Sequence, residues 1–148
     1  MAEERVIKIG MLGLGTVGTG VYKVLKSQQE EMLPKLGARV ELKKILVRNV
    51  EKAAAKVDDP SIITTNFEDI ANDPEIEIVV EVMGGVEPAF TFVKKALEAT
   101  GVTCEYFAFS DSNDISAVAK KAASEVDVVY IPTDNTAASN GAVIDDAC

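Results

Sequence analysis

The sequence predicts a doubly wound α/β fold: a mostly parallel sheet with helices on both faces, in three α/β/α layers. Three observations carry this. Apolar runs of strand length recur at Val6–Leu12, Val40–Val47, Ile76–Met83, Val102–Phe109 and Val126–Ile131, with helix-like stretches between them. The runs are near-continuous in Val, Ile and Leu rather than alternating, as expected for strands covered on both faces. A glycine-rich turn follows the first run directly, where a strand hands over to a helix.

Taken in order, "VIKIGML" gives the first strand, and Thr16–Leu33 reads as one long helix with Val17, Val21, Val24 and Leu25 inward, ended by Pro34 and Gly37. The second strand is Val40–Val47, followed by a short helix over Glu51–Val57. "SIITTNF" (Ser61–Phe67) is a short strand suited to a sheet edge. Ile76–Met83 is the next strand. Pro88–Ala99 is a helix with proline in its first turn and Gly101 beyond its end, which is the usual asymmetry of helix boundaries. In the remainder, Val102–Phe109 and Val126–Ile131 read as strands, and Asp114–Ser124 and Thr136–Ala147 as helices. Ser112, Asn113 and Asp114 compete to cap the first of these helices, and Asn140-Gly141 weakens the second.

Composition bounds the possibilities. A chain of 148 residues fits one domain. Its 47% hydrophobic and 26% charged residues are those of an ordinary globular protein. The formal charge of −9 argues against nucleic acid as a partner, because phosphate backbones call for clustered Lys and Arg. No apolar stretch reaches membrane-spanning length, and the expectation is a cytoplasmic protein with no membrane partner. The chain has no histidine, which removes the commonest general base and the commonest metal ligand. Cys104, within an apolar run, reads as core, and Cys148 as a terminal thiol; two cysteines so placed make neither a metal site nor a disulfide framework.

The turn Gly13-Leu14-Gly15-Thr16-Val17-Gly18 is a G-x-G-x-x-G between strand and helix. The first glycine permits the tight turn, the second lets backbone approach a pyrophosphate, and the third allows close helix–strand packing. The helix N-terminus adds free N–H groups and partial positive charge. The alternative is a glycine turn kept for packing alone. Where the usual fingerprint has an acid at the end of the second strand, this chain has Arg48-Asn49, and a guanidinium favours the 2′-phosphate of NADP over the bare ribose of NAD; the alternative is a solvated surface arginine. Met83-Gly84-Gly85 follows a later strand, at the C-terminal strand edge where such folds place ligands; the alternative is a plain strand-to-helix turn before Pro88.

Together, "IKIGMLGLGTVGTGV", "ELKKILVRNVEKA", "NDPEIEIVVEVMGGVEPA" and "ALEA" resemble the cofactor-binding domain of homoserine dehydrogenase over residues 5–95. The resemblance implies a Rossmann-like fold and a dinucleotide partner, NADP or NAD. It places Gly13 to Gly18, Arg48, Met83 and Gly84 in the family's cofactor-contact motifs. Beyond this segment the family's "T-A-N-K"-like motif, whose lysine belongs to the active site, has no match. Instead "SDSNDI", "VDVVYIPTDNT" and "ASNGAVID" resemble part of the tryptophan/tyrosine-type substrate-binding proteins of ABC transporters, which have a periplasmic-binding-protein fold. The simplest reading of the two resemblances is a chimera, engineered or, as the alternative, naturally recombined: one domain over 1–148, built from segments 1–95 and 96–148 with a joint somewhere in Pro88–Gly101.

That reading expects a dinucleotide-binding module without catalytic residues, as a monomer or weak homodimer. The alternatives are a truncated or residual homoserine dehydrogenase that recruits polar candidates among Lys94, Lys95, Asp111, Asp134 and Asn135, a small-molecule binder using Ser110–Asn113 or Thr133–Thr136, and a scaffold with no ligand.

Overall fold

The computed structural model describes residues 5–108, 110–129 and 139–146. The chain divides into two compact units, one ending at Ala99 and the other starting at Thr100.

The first unit is a parallel four-stranded sheet with helices on both faces. In chain order its elements are β1 (Val6–Leu12), α1 (Thr16–Ser27), α2 (Gln29–Leu36), β2 (Arg39–Leu46), α3 (Val50–Ala54), a 3-10 turn (Pro60–Ile62), β3 (Ile63–Thr64), α4 (Glu68–Ala71), β4 (Ile76–Glu81) and α5 (Val86–Ala99). The strand order is β3-β2-β1-β4. Every pairing is parallel: Met11 stands beside Ile45 on one side and Val80 on the other.

Successive residues of each central strand point to opposite faces. Met11 and Ile45 enter one core with Leu14, Tyr22, Val47, Ala53 and Val57, beneath α1 and α3. Their neighbours Leu12 and Leu46 enter the other with Phe67 and Ile70, joined by Phe92 and Ala96 of α5. Phe67 and Phe92 meet there with ring centroids 4.9 Å apart. Two opposed cores are what a doubly wound sheet requires, and they explain the continuous apolar runs.

The first helix differs from its expected form in two ways. The stretch is two helices meeting at Gln28, and Pro34 is accommodated inside α2. Gly37 provides the stop, in the left-handed conformation at φ 65°. The break is held from the sheet: the Gln29 side chain donates to the carbonyls of Leu25 and Val40 and accepts from the Val40 N–H. Second, α1 follows the apolar pattern only in part: Val21 packs against the core and Leu25 is half-buried as expected, but the other two valines are not covered. Gly18 and Tyr22 face inward, while Val17 is 63% exposed and Val24 47%. The reason is the closeness of Gly18 to the preceding loop, which only a residue without a Cβ allows.

The second unit contains α6 (Ile115–Glu125) and α7 (Gly141–Asp145), joined by a small core of Ile115, Ala119 and Ile144. The predicted strands Val102–Phe109 and Val126–Ile131 are corrected by the structure: their described residues, 102–108 and 126–129, form no strand. A strand needs a ladder partner for its backbone N–H and C=O groups, and this unit has none among its described residues. Most side chains in these runs are open to solvent, with Tyr106 61% and Val128 82% exposed, while Cys104, Phe107 and Val126 are half-buried. Cys104, expected in the core, is half-buried and free. The part of the predicted last helix over residues 136–138 lies outside the described residues, as does Cys148; the helix that follows starts at Gly141, the weak point of the pattern.

Candidate functional site

The sheet order fixes where a site can form. From β1 the chain winds outward through β2 to β3, then crosses over β1 to β4. The loops after β1 and β4 therefore diverge at the carboxyl ends of adjacent strands, and such a switch point leaves a crevice. Both predicted glycine motifs, Gly13–Gly18 and Met83-Gly84-Gly85, lie there.

The glycine loop is built by backbone geometry. Gly13 turns the chain out of β1 at φ 102°, a conformation that side chains with a Cβ rarely adopt. Its N–H donates to the Leu46 carbonyl at 2.9 Å, fastening the loop to the end of β2. A Cβ on Gly13 would sit 3.0 Å from the Val82 carbonyl oxygen and 3.2 Å from Met83 Cα, so the loop also lies tightly on the chain leaving β4. That chain is itself anchored: the Val82 N–H donates to Leu12 O at 3.0 Å, and the Met83 N–H donates to Glu81 Oε1 at 2.6 Å.

Leu14 turns its side chain into the core, and Gly15 caps α1 without a side chain of its own. The helix starts firmly, because the Gly15 carbonyl accepts from both the N–H and the hydroxyl of Thr19, at 3.0 and 2.7 Å. Gly18 packs against Gly13: a Cβ there would lie 3.1 Å from the Gly13 carbonyl carbon and closer still to its oxygen. Gly15 is the opposite case. A Cβ at this position would meet nothing within 4 Å. One glycine is needed for protein packing; the other borders open space at the helix N-terminus.

Electrostatics agree with this geometry. Within the first unit, the first turn of α1 has no acidic residue, whereas those of α2, α3, α4 and α5 carry Glu30 and Glu31, Glu51, Glu68 and Asp69, and Glu87; α6 and α7 of the second unit also lack one. Acids stabilise a helix N-terminus, and α1 leaves that end to its backbone N–H groups.

Arg48 lies just beyond β2 and is exposed. Asn49 beside it caps α3, its side chain accepting from the Lys52 N–H at 2.9 Å. Thr16 and Val17 are exposed at the start of α1, and Gly84 and Gly85 are exposed after β4, Gly85 with φ 93°. Sequence reasoning missed Lys56, whose Nζ donates to the Leu14 carbonyl at 2.9 Å across 42 residues of chain. No local pattern reports such a contact.

The remaining polar candidates have local roles or lie elsewhere. Lys94 pairs with Glu98 one helical turn on, at 3.7 Å. Lys95 is exposed on α5. Asp111 accepts from the Asn113 N–H at 2.7 Å in the turn before α6. Asp134, Asn135 and the Thr133–Thr136 segment lie outside the described residues. Among the described residues no cluster of His, Cys, Asp or Glu could hold a metal ion, and no helix is long and apolar enough to cross a membrane.

Comparison with known proteins gives a consistent result. The family described as homoserine dehydrogenase, NAD binding domain, matches residues 13–132. The homoserine dehydrogenase of Bacillus subtilis is 40% identical over 96 residues, covering 64% of this chain and 22% of the relative. That of Synechocystis is 44% identical over 91 residues, covering 62% and 21%. Among solved structures, a homoserine dehydrogenase from Thiobacillus denitrificans superposes with a TM-score of 0.60 at 42% identity, covering 65% of this chain and 22% of that one. The chain thus spans about a fifth of the length of these relatives.

Proposed function

We propose, from the premise that the chain belongs to the family of homoserine dehydrogenase NAD-binding domains, that its glycine loop binds a nicotinamide dinucleotide and takes NADP(H) in preference to NAD(H). The observation carrying this reading is the pair of contrasting glycines at the switch point: Gly18 closed against Gly13, and Gly15 open at the N-terminus of α1.

The pyrophosphate would lie against the N–H groups of Gly15, Thr16 and Val17, where the helix end supplies donors and partial positive charge. The adenosine end would reach past β2 to Arg48, whose guanidinium can pair with a 2′-phosphate. The other end would run along Met83, Gly84 and Gly85, where the absence of side chains lets a ring approach backbone. When bound, the dinucleotide supplies hydride transfer; the chain's own residues bind and orient it.

A charge-assisted contact from Arg48 worth about 1.5–3 kcal/mol corresponds to roughly ten- to a hundredfold preference for NADPH over NADH. Calorimetric titration with each dinucleotide at low salt tests this. The expected result is tighter binding of NADPH, with the preference lost in Arg48→Ala. Equal affinities in the parent chain would refute the role of Arg48, and no heat with either dinucleotide would refute the binding reading.

Dehydrogenase turnover by this chain is the second reading, compatible with the names of its relatives. NADPH-dependent loss of absorbance with aspartate semialdehyde, above a no-protein control, would establish it. The chimeric origin rests on the motifs of the C-terminal segment alone. The family match runs through residue 132, past the joint placed in Pro88–Gly101, and lends that origin no support.

A further inference from the structure

We propose that Lys56 is a positioning residue of the glycine loop: its ammonium group clamps the Leu14 carbonyl and so holds the Gly13–Gly15 backbone in the shape that receives a pyrophosphate. The proposal rests on the binding reading above.

The loop is fixed on three sides without Lys56. Gly13 is tied to the end of β2, Gly18 abuts Gly13, and the Gly15 carbonyl is held by Thr19. Leu14 is the remaining link, between the turn at Gly13 and the cap at Gly15. Its side chain is buried, but its carbonyl precedes the helix cap, and Lys56 Nζ donates to it at 2.9 Å. Rotation of the Gly13–Gly15 backbone would swing this carbonyl, and with it the N–H of Gly15 at the open side of the loop.

The lysine is well mounted for this task. It follows α3, and its N–H donates to the Ala53 carbonyl at 2.9 Å. On either side of it Ala53 and Val57 are buried in the same core as Leu14 and Tyr22. One residue further, the Asp58 N–H donates to the Tyr22 hydroxyl at 2.9 Å, and that hydroxyl donates to Asp58 Oδ2 at 3.1 Å. The segment from Ala53 to Asp58 is thus a strap across the loop and α1, pinned to the helix at Tyr22 and to the loop at Leu14. Its lysine also brings a positive charge to the end of the molecule where the anion is expected.

Lys56→Met removes the donor while keeping the aliphatic stem, and Lys56→Arg restores a donor. Two measurements on the full chain decide the matter: titration with NADPH and NADH, and hydrogen–deuterium exchange of peptides covering residues 13–18. Loss of one such hydrogen bond should weaken both dinucleotides by roughly three- to tenfold, because both carry the same pyrophosphate. The exchange of the loop should quicken in Lys56→Met and its Tm should fall by only a few degrees, with all three effects reversed in Lys56→Arg. Weakening of NADPH alone would mean that Lys56 touches the 2′-phosphate directly, which overturns the positioning role. Unchanged exchange of the loop would overturn it too, whatever the affinities. Failure of the parent chain to bind either dinucleotide sinks the binding reading separately, and the exchange data then still decide whether Lys56 holds the loop.

Discussion

Replacing Gly18 by alanine adds one methyl group at the closest approach in the site, and a second glycine of the same helix supplies its control. At Gly18 the new Cβ would fall inside van der Waals contact of the Gly13 carbonyl oxygen, 3.1 Å from its carbonyl carbon and 3.3 Å from Val82 Cγ2. Two of these three atoms are backbone, so the loop or the helix must shift. Overpacking of this kind costs about 1–3 kcal/mol. Alanine also gains about 1 kcal/mol of helix propensity over glycine. At Gly20, also within α1, the added Cβ meets nothing within 4 Å, so only the gain applies. The difference between Gly18→Ala and Gly20→Ala cancels propensity and leaves the steric cost, about 1–3 kcal/mol. For a chain of this length that separates the two melting temperatures by roughly 3–10 °C. Urea unfolding of both variants measures it, as a change in midpoint at unchanged m. On the proposed binding mode, Gly18→Ala should in addition lose NADPH affinity, because the displaced loop is the one assigned to the phosphates. Equal midpoints for the two variants would refute the claim that the contact with Gly13 dictates the inward face of α1.

Two further predictions separate binding from stability. Gly15→Ala places a methyl in open space at φ −77°, so its melting temperature should move by less than about 1 kcal/mol requires, while NADPH binding weakens at least tenfold, as calorimetry would show. Lys43 binds Asp73 at 2.6 Å and Glu75 at 2.5 Å, and Lys8 also pairs with Glu75, joining β1 and β2 to the turn before β4. The side-chain hydrogen bond from Lys43 is the main cause that lowers both carboxyls from their ordinary values of 3.8 and 4.5, and the hydrogen bond to Asp73 is the main cause that raises Lys43 from 10.5. Groups with lowered pKa stabilise the fold above their unfolded values and lose that contribution as pH falls through the folded ones. Stability should therefore drop below about pH 4, and, for the raised lysine, again as pH climbs beyond about 10.5. Lys43→Met should flatten both limbs of a Tm-against-pH curve, and an unchanged acid limb would show that the network contributes nothing there.

Much of the architecture is written in residues close together in the chain. Unbroken Val, Ile and Leu runs can be satisfied only by cover on both faces, and Met11 with Leu12 and Ile45 with Leu46 show that cover. The glycine spacing located the turn after β1, because a strand that passes into a helix through a φ of 102° leaves few other choices. The lone Arg48 where an acid is usual was equally legible. These features are local, and local chemistry specifies them.

Tertiary structure decided what depends on distant partners. The apolar pattern of α1 pointed to Val17, Val21, Val24 and Leu25; Val21 and Leu25 are partly covered, but the helix buries Gly18 and Tyr22 in place of the other two, because contact with Gly13 and the hydrogen bonds to Asp58 outweigh two valines. The runs at Val102–Phe109 and Val126–Ile131 have strand composition, yet β structure is a property of pairs, and no described neighbour in their unit pairs with them. Lys56 lies in an unremarkable exposed segment and gains a role only because β2 and α3 carry it back to Leu14. The sequence by itself determined a parallel α/β sheet and the turn that could receive a phosphate. Which side of the helix meets the sheet, and which lysine holds the turn, followed from contacts between residues far apart in the chain, whose geometry no local pattern encodes.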